Sequence, residues 1–150
     1  MKRRIAEPWM PADAYGRSLR GFGVNLLVSD VTRAVAFQTA VLGVELVYAD
    51  KDFAVLRHGG QEWMLHADHT YAEHPLLGLT GDGAIRGAGA ELRLYDLDPD
   101  AAETRARARG ETVLAPAADK PHGLREVYIA DPDGYIWVPG RAIPPESETP

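Results

Sequence analysis

The sequence predicts an α+β fold in which a βαβββ unit occurs twice and its sheets form a curled mixed sheet around a cavity. Apolar residues occupy alternate positions 24, 26 and 28 of residues 24–31 and again positions 90, 92 and 94 of residues 90–97, two segments that start 66 positions apart. A period of two is typical of a strand with one apolar face. Each segment leads into a helix and then three short strands, so the order of elements is repeated.

Both helices carry start and stop residues. Asp30 can cap the first helix, which Gly43 then ends. Asp98 can cap the second, with Pro99 at its first position and Gly110 after its end at residue 109. These residues predict helices over 31–42 and 99–109.

Three short strands are predicted after each helix. In the first copy they cover residues 45–49, 53–58 and 61–67, with a tight turn at Gly59-Gly60. In the second copy they cover residues 112–114, 125–130 and 135–138, and the turn is Asp131-Pro132-Asp133-Gly134.

The repeat sets the expected domain organisation. Residues 1–20, which contain two prolines beside Trp9 and Tyr15, are expected to form an irregular N-terminal arm. The domain itself is expected over residues 21–141, with repeat one at 21–67, a linker at 68–88 and repeat two at 89–141. Residues 142–150 are rich in proline and polar residues and are expected to be a disordered tail.

Composition excludes several classes of function. The chain has 150 residues, the size of one domain, and no cysteine for disulfides, thiolate zinc sites or nucleophilic catalysis. A net charge of −6 disfavours nucleic acid as a partner. No apolar run reaches the roughly 20 residues of a membrane span or follows the N-terminus as in a signal peptide. We therefore expect a cytoplasmic protein whose partner is neither nucleic acid nor membrane.

Two stretches carry a family resemblance. The first strand with Ala-Val-Ala-Phe at 34–37 and Val-Leu-Gly at 41–43, and the closing Asp-Pro-Asp-Gly-Tyr at 131–135, resemble the vicinal oxygen chelate superfamily. That superfamily includes glyoxalase I, extradiol dioxygenases, fosfomycin-resistance enzymes and bleomycin-resistance proteins. The resemblance covers about residues 21–141. It implies a cavity for a small-molecule ligand and a homodimer.

The resemblance also implies four positions for metal ligands. Here they hold Gly23, Met64, Gly89 and Val138. Glycine and valine offer no side-chain donor, and a thioether does not suit a hard divalent cation. We therefore expect no metal and no other cofactor. The pattern then resembles the bleomycin-resistance branch, which implies metal-independent binding or sequestration of a small molecule.

Strand alternation places polar side chains on the cavity side. If Leu26 and Val28 face the helix, Asn25 faces the cavity, and Glu91 and Arg93 do so in the second repeat. These three residues are candidates for orienting a ligand, although Glu91 and Arg93 could instead pair with each other or lie in solvent. The remaining candidates are Tyr48 and Phe53 as stacking surfaces and His122 as a ligand contact. Trp63 and Trp137 are expected in the core.

An enzyme is the alternative hypothesis. A lyase, isomerase or dioxygenase could use displaced metal ligands such as Glu91, His66 and His122. Metal-free acid–base chemistry by Glu91 or His122 is also open. His66, His69 and His74 do not have the spacing of a zinc motif, so a polar loop is the better interpretation there. The sequence favours a binding protein and predicts no catalytic residue beyond Glu91 and His122.

Overall fold

The computed structural model describes residues 1–146, which form two compact units. Unit one comprises residues 1–39 and 43–84, and unit two comprises residues 40–42 and the chain from residue 85. The helices are α1 (Ala12–Ser18), α2 (Val31–Phe37) and α3 (Pro99–Ala108). The strands of unit one are β1 (Asn25–Val28), β2 (Glu45–Ala49), β3 (Phe53–His58) and β4 (Gln61–Ala67). Those of unit two are β5 (Leu92–Leu94), β6 (Thr112–Asp119), β7 (Leu124–Ala130) and β8 (Ile136–Ala142).

Each unit is built on one four-stranded mixed sheet, and the two sheets share one topology. Their strand orders are β1-β4-β3-β2 and β5-β8-β7-β6. In each sheet the first strand pairs in parallel with the last, and the other neighbours are antiparallel. The predicted α+β class and the repeated βαβββ unit are confirmed.

In unit one, α2 packs on one face of its sheet. The Asp30 carboxylate accepts a hydrogen bond from the Arg33 backbone N–H at 3.0 Å, as expected of the cap. After Phe37 the helix widens into a π-helical turn, and Gly43 ends it with a positive φ of 75°. Trp63 is buried there, and its indole N–H donates to the Gln38 side-chain oxygen at 2.8 Å.

In unit two, α3 covers the corresponding face. The Asp98 carboxylate accepts from the backbone N–H groups at positions 100 and 101, and Pro99 occupies the first turn. Ala102 and Ala106 on the helix, like Val127 and Ile129 on β7, are fully buried. The expectation that both tryptophans lie in the core is confirmed.

The turn that joins β7 to β8 is held by one buried carboxylate. Asp131 accepts hydrogen bonds from the Asp133 and Tyr135 backbone N–H groups at 2.9 and 3.0 Å. It also accepts from the Trp137 indole at 3.0 Å. The Asp-Pro-Asp-Gly turn is therefore tied to the core by its first residue.

Several boundaries differ from the prediction. The arm expected to be irregular contains α1, whose Tyr15 is buried. β6 extends to Asp119 because two register irregularities allow the strand to continue past Pro116 at the sheet edge. β5 is short because Asp96, with a φ of 59°, breaks the extended backbone.

The tail begins later than expected. β8 includes Ala142, and the Ile143 backbone N–H donates to the Gly123 carbonyl at 2.9 Å. Residues 147–150 of the predicted tail lie outside the described part of the chain. Within the described residues, no helix is long and apolar enough to cross a membrane.

Candidate functional site

The sheet of unit two has a polar face opposite α3. Leu94, Ile129 and Trp137 point toward the helix and are buried. The alternate residues therefore share the other face. Arg93 lies there, opposite Val138 in the parallel register of β5 and β8.

Glu126 is the centre of this face. It lies on β7, and only 1% of its surface is exposed. Its carboxylate accepts hydrogen bonds from the Arg93 guanidinium and, at 3.4 Å, from the Tyr128 hydroxyl. His122 Nε2 lies 3.3 Å from the same carboxylate. Gly140 faces Glu126 across the sheet, where an added Cβ would lie 3.2 Å from the Glu126 Cβ.

Arg93 is held on several sides. Its Nη1 donates to the Glu91 carboxylate at 3.4 Å, and its Nε donates to the Tyr95 hydroxyl at 3.3 Å. The guanidinium carbon also lies 5.8 Å from the Tyr95 ring centroid, a cation–π distance. Glu91, Arg93, Glu126, His122 and the tyrosines at 95 and 128 are called the Arg93 cluster below.

The environment fixes the protonation states in the Arg93 cluster. Burial opposes ionisation of Glu126, but hydrogen bonds from Arg93 and then His122 outweigh it and lower the pKa of Glu126. Burial likewise lowers the pKa of Arg93, and its bonds to Glu126 and Tyr95 raise it more. The hydrogen bond to Glu91, together with burial, raises the pKa of Tyr128. At neutral pH the Glu126 carboxylate is therefore paired with the Arg93 guanidinium, and the Tyr128 hydroxyl keeps its proton.

The corresponding face of unit one is lined by rings. Tyr48 and Phe53 lie on neighbouring strands with ring centroids 6.4 Å apart, and Phe53 lies 4.7 Å from His66. Asn25 Oδ1 lies 2.5 Å from His66 Nδ1. Burial, and then the nearby His74, lowers the pKa of His66. His66 is therefore neutral at pH 7 and can donate its Nδ1 proton to Asn25.

The three neighbouring histidines have separate partners. His69 Nε2 lies 2.7 Å from the Asp52 carboxylate, and His66 contacts Asn25. His74 packs on Tyr71 with ring centroids 4.5 Å apart. No group of three or more His, Asp or Glu side chains within residues 1–146 could hold a metal ion. These contacts favour the interpretation as a polar loop.

A half-open pocket of about 170 Å³ lies elsewhere in unit one. It is smaller than the roughly 300–1,000 Å³ of ordinary ligand sites. It is lined by Arg3, Ser29, Asp30, Val31, Thr32, Lys51 and His69. The residues that the sequence predicts as ligand contacts are not among them, so this pocket is not the candidate site.

Comparison with known families decides the class of the domain. The sequence model of the Glyoxalase/Bleomycin resistance protein/Dioxygenase superfamily matches residues 23–138. The chain belongs to this superfamily. The matched segment contains both four-stranded sheets except the end of β8 and excludes the arm with α1.

Solved structures of glyoxalase-like proteins share the fold. TioX from Micromonospora sp. ML1 is 24% identical, with a TM-score of 0.59 over 85% of this chain and 100% of that one. A glyoxalase/bleomycin resistance protein/dioxygenase from Nocardioides is 23% identical, with a TM-score of 0.60 over 92% and 97%. A glyoxalase-related enzyme from Fulvimarina pelagi is 21% identical, with a TM-score of 0.63 over 82% and 88%. No curated protein matches the chain. At these identities the likeness shows the fold alone.

The residues at the four positions expected to hold metal ligands do not offer donors that fit a hard metal ion. A Cβ added at Gly23 would meet no atom within 4 Å, so the position is open but carries no donor. Gly89 has a φ of 88°, a conformation that favours glycine, and it likewise carries no donor. Met64 faces Asn25, and Val138 faces Arg93, in the parallel registers. A thioether and an isopropyl group do not bind hard cations.

The structure brings some predicted site residues of this glyoxalase-like chain together within each unit. Glu91, Arg93 and His122 meet around Glu126 in unit two, and Arg93 is closer to Glu126 than to Glu91. In unit one Tyr48 and Phe53 share a ring cluster, and Asn25 contacts His66 beside it.

Glu126 was not among the predicted site residues, although the alternation of residues along β7 indicates it. Val127 and Ile129 alternate as buried residues on β7, which places Glu126 and Tyr128 on the face of Arg93. Applying the same alternation to the predicted strand at 125–130 would have identified both.

Proposed function

We propose that the protein is a metal-independent small-molecule binding protein that sequesters its ligand in the cytoplasm as a homodimer. The observation that carries the proposal is that glycine, methionine and valine occupy the four positions expected to hold metal ligands. The face of the unit-two sheet opposite α3 instead holds the preorganised Arg93 cluster. A site with few polar groups already fixed in place binds with little ordering cost.

The Arg93 cluster supports a particular mode of recognition. Arg93 is compensated by the buried Glu126, so it is a poor receptor for a ligand carboxylate. Glu91 is half-exposed at the side chain and shares only part of the guanidinium. We propose that Glu91 accepts a hydrogen bond or a positive charge from the ligand. Arg93 and Tyr128 fix the orientation of Glu91, and His122 borders the site.

In unit one, we propose that Asn25, Tyr48 and Phe53 form a contact surface for a small molecule. The rings offer flat apolar surface, and Asn25 offers its amide next to His66. The superfamily description includes bleomycin resistance, and binding without chemistry is in keeping with that part of it.

The test begins with the metal content of tag-free protein. We expect no bound equivalent after dialysis against nickel, zinc, manganese, cobalt or iron(II). The protein is then mixed with a library of metabolites and antibiotics, and retained compounds are identified by mass spectrometry. We expect a retained compound of unchanged mass whose affinity does not respond to a chelator.

Two variants connect binding to the Arg93 cluster. Glu91→Gln and Tyr128→Phe are expected to weaken retention about tenfold, the loss of one charge-assisted hydrogen bond of about 1.4 kcal/mol. Arg125→Ala is the matched control, because Arg125 lies on the same sheet but pairs with Asp100 and Asp119. One tight metal equivalent per chain, or equal loss in all three variants, would contradict the proposal.

One observation favours an acid–base enzyme as the second candidate. His122 is half-exposed, and its Nε2 lies against the buried Glu126 carboxylate. A carboxylate that orients a histidine is typical of general-base sites. Recovery of the retained compound with a changed mass would establish this candidate in place of sequestration, provided that His122→Gln abolishes the change in mass.

A further inference from the structure

The N-terminal arm crosses the ring-lined face of unit one. It lies outside the segment that the superfamily model matches. Trp9 is stacked on Tyr48 with ring centroids 4.6 Å apart and ring planes at 22°. It lies 6.2 Å from Phe53 at 19°. One indole ring therefore lies nearly parallel to both proposed contact rings.

The arm is fastened on both sides of Trp9. On the N-terminal side, the Arg3 and Arg4 backbone N–H groups donate to the Asp52 carboxylate at 2.7 to 3.0 Å. On the C-terminal side, α1 carries Tyr15, whose hydroxyl donates to Glu62 at 3.1 Å. The connecting residues between these anchors hold Trp9 near the sheet without burying it.

Trp9 itself is only partly buried. Its exposed fraction is 41%, whereas Trp63 and Trp137 are 8% and 2% exposed. Ile5, on the same stretch of the arm, is fully exposed. The Trp9 ring therefore stays partly open to solvent, although it stacks on the two rings of the sheet and also contacts Tyr15 of the arm, with ring centroids 5.2 Å apart.

The rings beneath Trp9 are held by contacts that do not involve Trp9, among them the edge-on contact of Phe53 with Tyr15 at 6.1 Å. The Tyr48 hydroxyl donates to the Asp50 carboxylate at 2.7 Å, and the Phe53 backbone N–H donates to the same carboxylate at 2.9 Å. Burial, and then the bond to Asp50, raises the pKa of Tyr48 to about 12, so the hydroxyl stays a donor at neutral pH. This surface would keep its shape when Trp9 leaves.

We infer that Trp9 occupies a site for a flat aromatic ring as an internal ligand, and that an aromatic ligand binds on Tyr48 and Phe53 by displacing it. The inference rests on the proposed binding function and names the ligand chemistry of unit one. The anchors keep the arm close, so Trp9 returns when the ligand leaves.

When Trp9 occupies the site, the apparent affinity for a ligand equals the intrinsic affinity multiplied by the fraction of molecules whose site is free. A partly exposed aromatic stack of ordinary strength populates the occupied state about two- to tenfold over the free one. Removing the indole is therefore expected to tighten binding of a flat ring about fivefold. A residue that merely lined the site would give the opposite result, because its loss would weaken binding.

The experiment uses the full chain with quinoline as a flat probe and 1-adamantanol as an apolar, non-planar one. Affinities are measured by NMR titration for wild type, Trp9→Ala and Phe22→Ala. Phe22 is the matched control, because it is an aromatic residue near the arm that is 91% exposed. Thermal unfolding of each variant confirms that the fold is retained.

We expect Trp9→Ala to bind quinoline about fivefold more tightly than wild type and Phe22→Ala to match wild type. In wild type, saturation with quinoline should move the Trp9 indole resonance to a solvent-exposed position. 1-Adamantanol should not move it. Weaker or unchanged quinoline affinity in Trp9→Ala, or an unmoved Trp9 resonance at saturation, would overturn the inference.

Failure of this test is distinguishable from failure of the proposed function. Quinoline reports on unit one alone, whereas Glu91→Gln and Tyr128→Phe report on unit two. Those two variants could weaken retention of the library compound while Trp9→Ala leaves the affinity for quinoline unchanged. That result would support the proposed binding function and contradict the inference that Trp9 occupies the site.

Discussion

Glu126 combines deep burial with a charge, a combination that proteins tolerate only when the charge is paired. The pairing comes from Arg93 on β5, with His122 and Tyr128 completing the hydrogen bonds. Removing one partner of such a pair leaves the other uncompensated. The energetics of the Arg93 cluster therefore depend on Glu126 more than on any exposed member.

Glu126→Gln is expected to lower the free energy of unfolding by about 3 kcal/mol, because it leaves the Arg93 charge without its buried partner. Glu91→Gln is the control, and it should cost less than about 1 kcal/mol because Glu91 is half-exposed. Chemical denaturation of both variants at neutral pH measures the difference. Equal costs would mean that burial does not decide the strength of this pair.

The same pair predicts a dependence on pH. The pKa of Glu126 is lowered in the folded protein from its ordinary 4.5, so its contribution is present above that value. It is lost as the pH falls through the folded pKa. The difference in unfolding free energy between wild type and Glu126→Gln should therefore be large at pH 7 and shrink below pH 4.5. A difference that grows on acidification would show that the pKa of Glu126 is raised in the folded protein and not lowered.

Alternation within strands explains which site residues could be predicted. Asn25 and Arg93 follow from a period of two, and the structure places both opposite the helix-facing residues. Partners on other strands depend on register, which one sequence does not specify. Hence Arg93 could be placed on a face, while its bond to Glu126 could not be predicted.

At the scale of elements, the linker before β5 is fixed by a close backbone contact. A Cβ added at Gly87 would lie 2.7 Å from the Tyr135 Cα and 2.9 Å from its ring. The first of these atoms belongs to the backbone, so the contact cannot be relieved by a rotamer change. The linker expected from composition alone is therefore packed at this point.

Gly87→Ala is expected to destabilise the protein by about 2 kcal/mol, the typical cost of overpacking. Gly81→Ala is the control in the same linker, because a Cβ there meets no atom within 4 Å. It should be neutral or stabilise by up to about 1 kcal/mol through the unfolded state. Thermal unfolding of the two variants measures the contrast, and similar melting temperatures would contradict the close contact.

Helix and turn boundaries were predictable where side chains bond to their own neighbouring backbone. Asp30, Asp98 and Asp131 all do so in the structure. Boundaries set by tertiary contacts were not. α1 follows a stretch that contains Pro8 and Pro11. Its position depends on the hydrogen bond from the Tyr15 hydroxyl to Glu62, which lies 47 residues away in the sequence.

At the scale of the whole molecule, the repeat made the fold predictable from one sequence. The same strand order occurs in both sheets, so the two copies of the pattern predict the fold more firmly than one weak motif would. The function was less predictable because it depends on substitutions at a few positions. The superfamily follows from the whole domain, whereas the identity of a ligand depends on single side chains such as Glu91.

The proposed homodimer has a direct test. Light scattering at micromolar concentration should give about 33 kDa, twice the chain's 16.3 kDa. The expectation comes from the superfamily, in which two-unit chains often pair. A monomer mass that persists on raising the concentration would contradict it.

The parallel pairing of first and last strands also has a consequence for the time course of folding. Partners such as Asn25 and Met64 are 39 residues apart, whereas β3 and β4 meet across Gly59-Gly60. Short hairpins close in about 1–10 µs, while contacts distant in sequence carry a larger loop entropy and form later. In each unit we therefore expect the first strand to dock last. Asn25, which is proposed to contact the ligand, and Arg93, which is proposed to orient Glu91, lie on the strands that complete each unit.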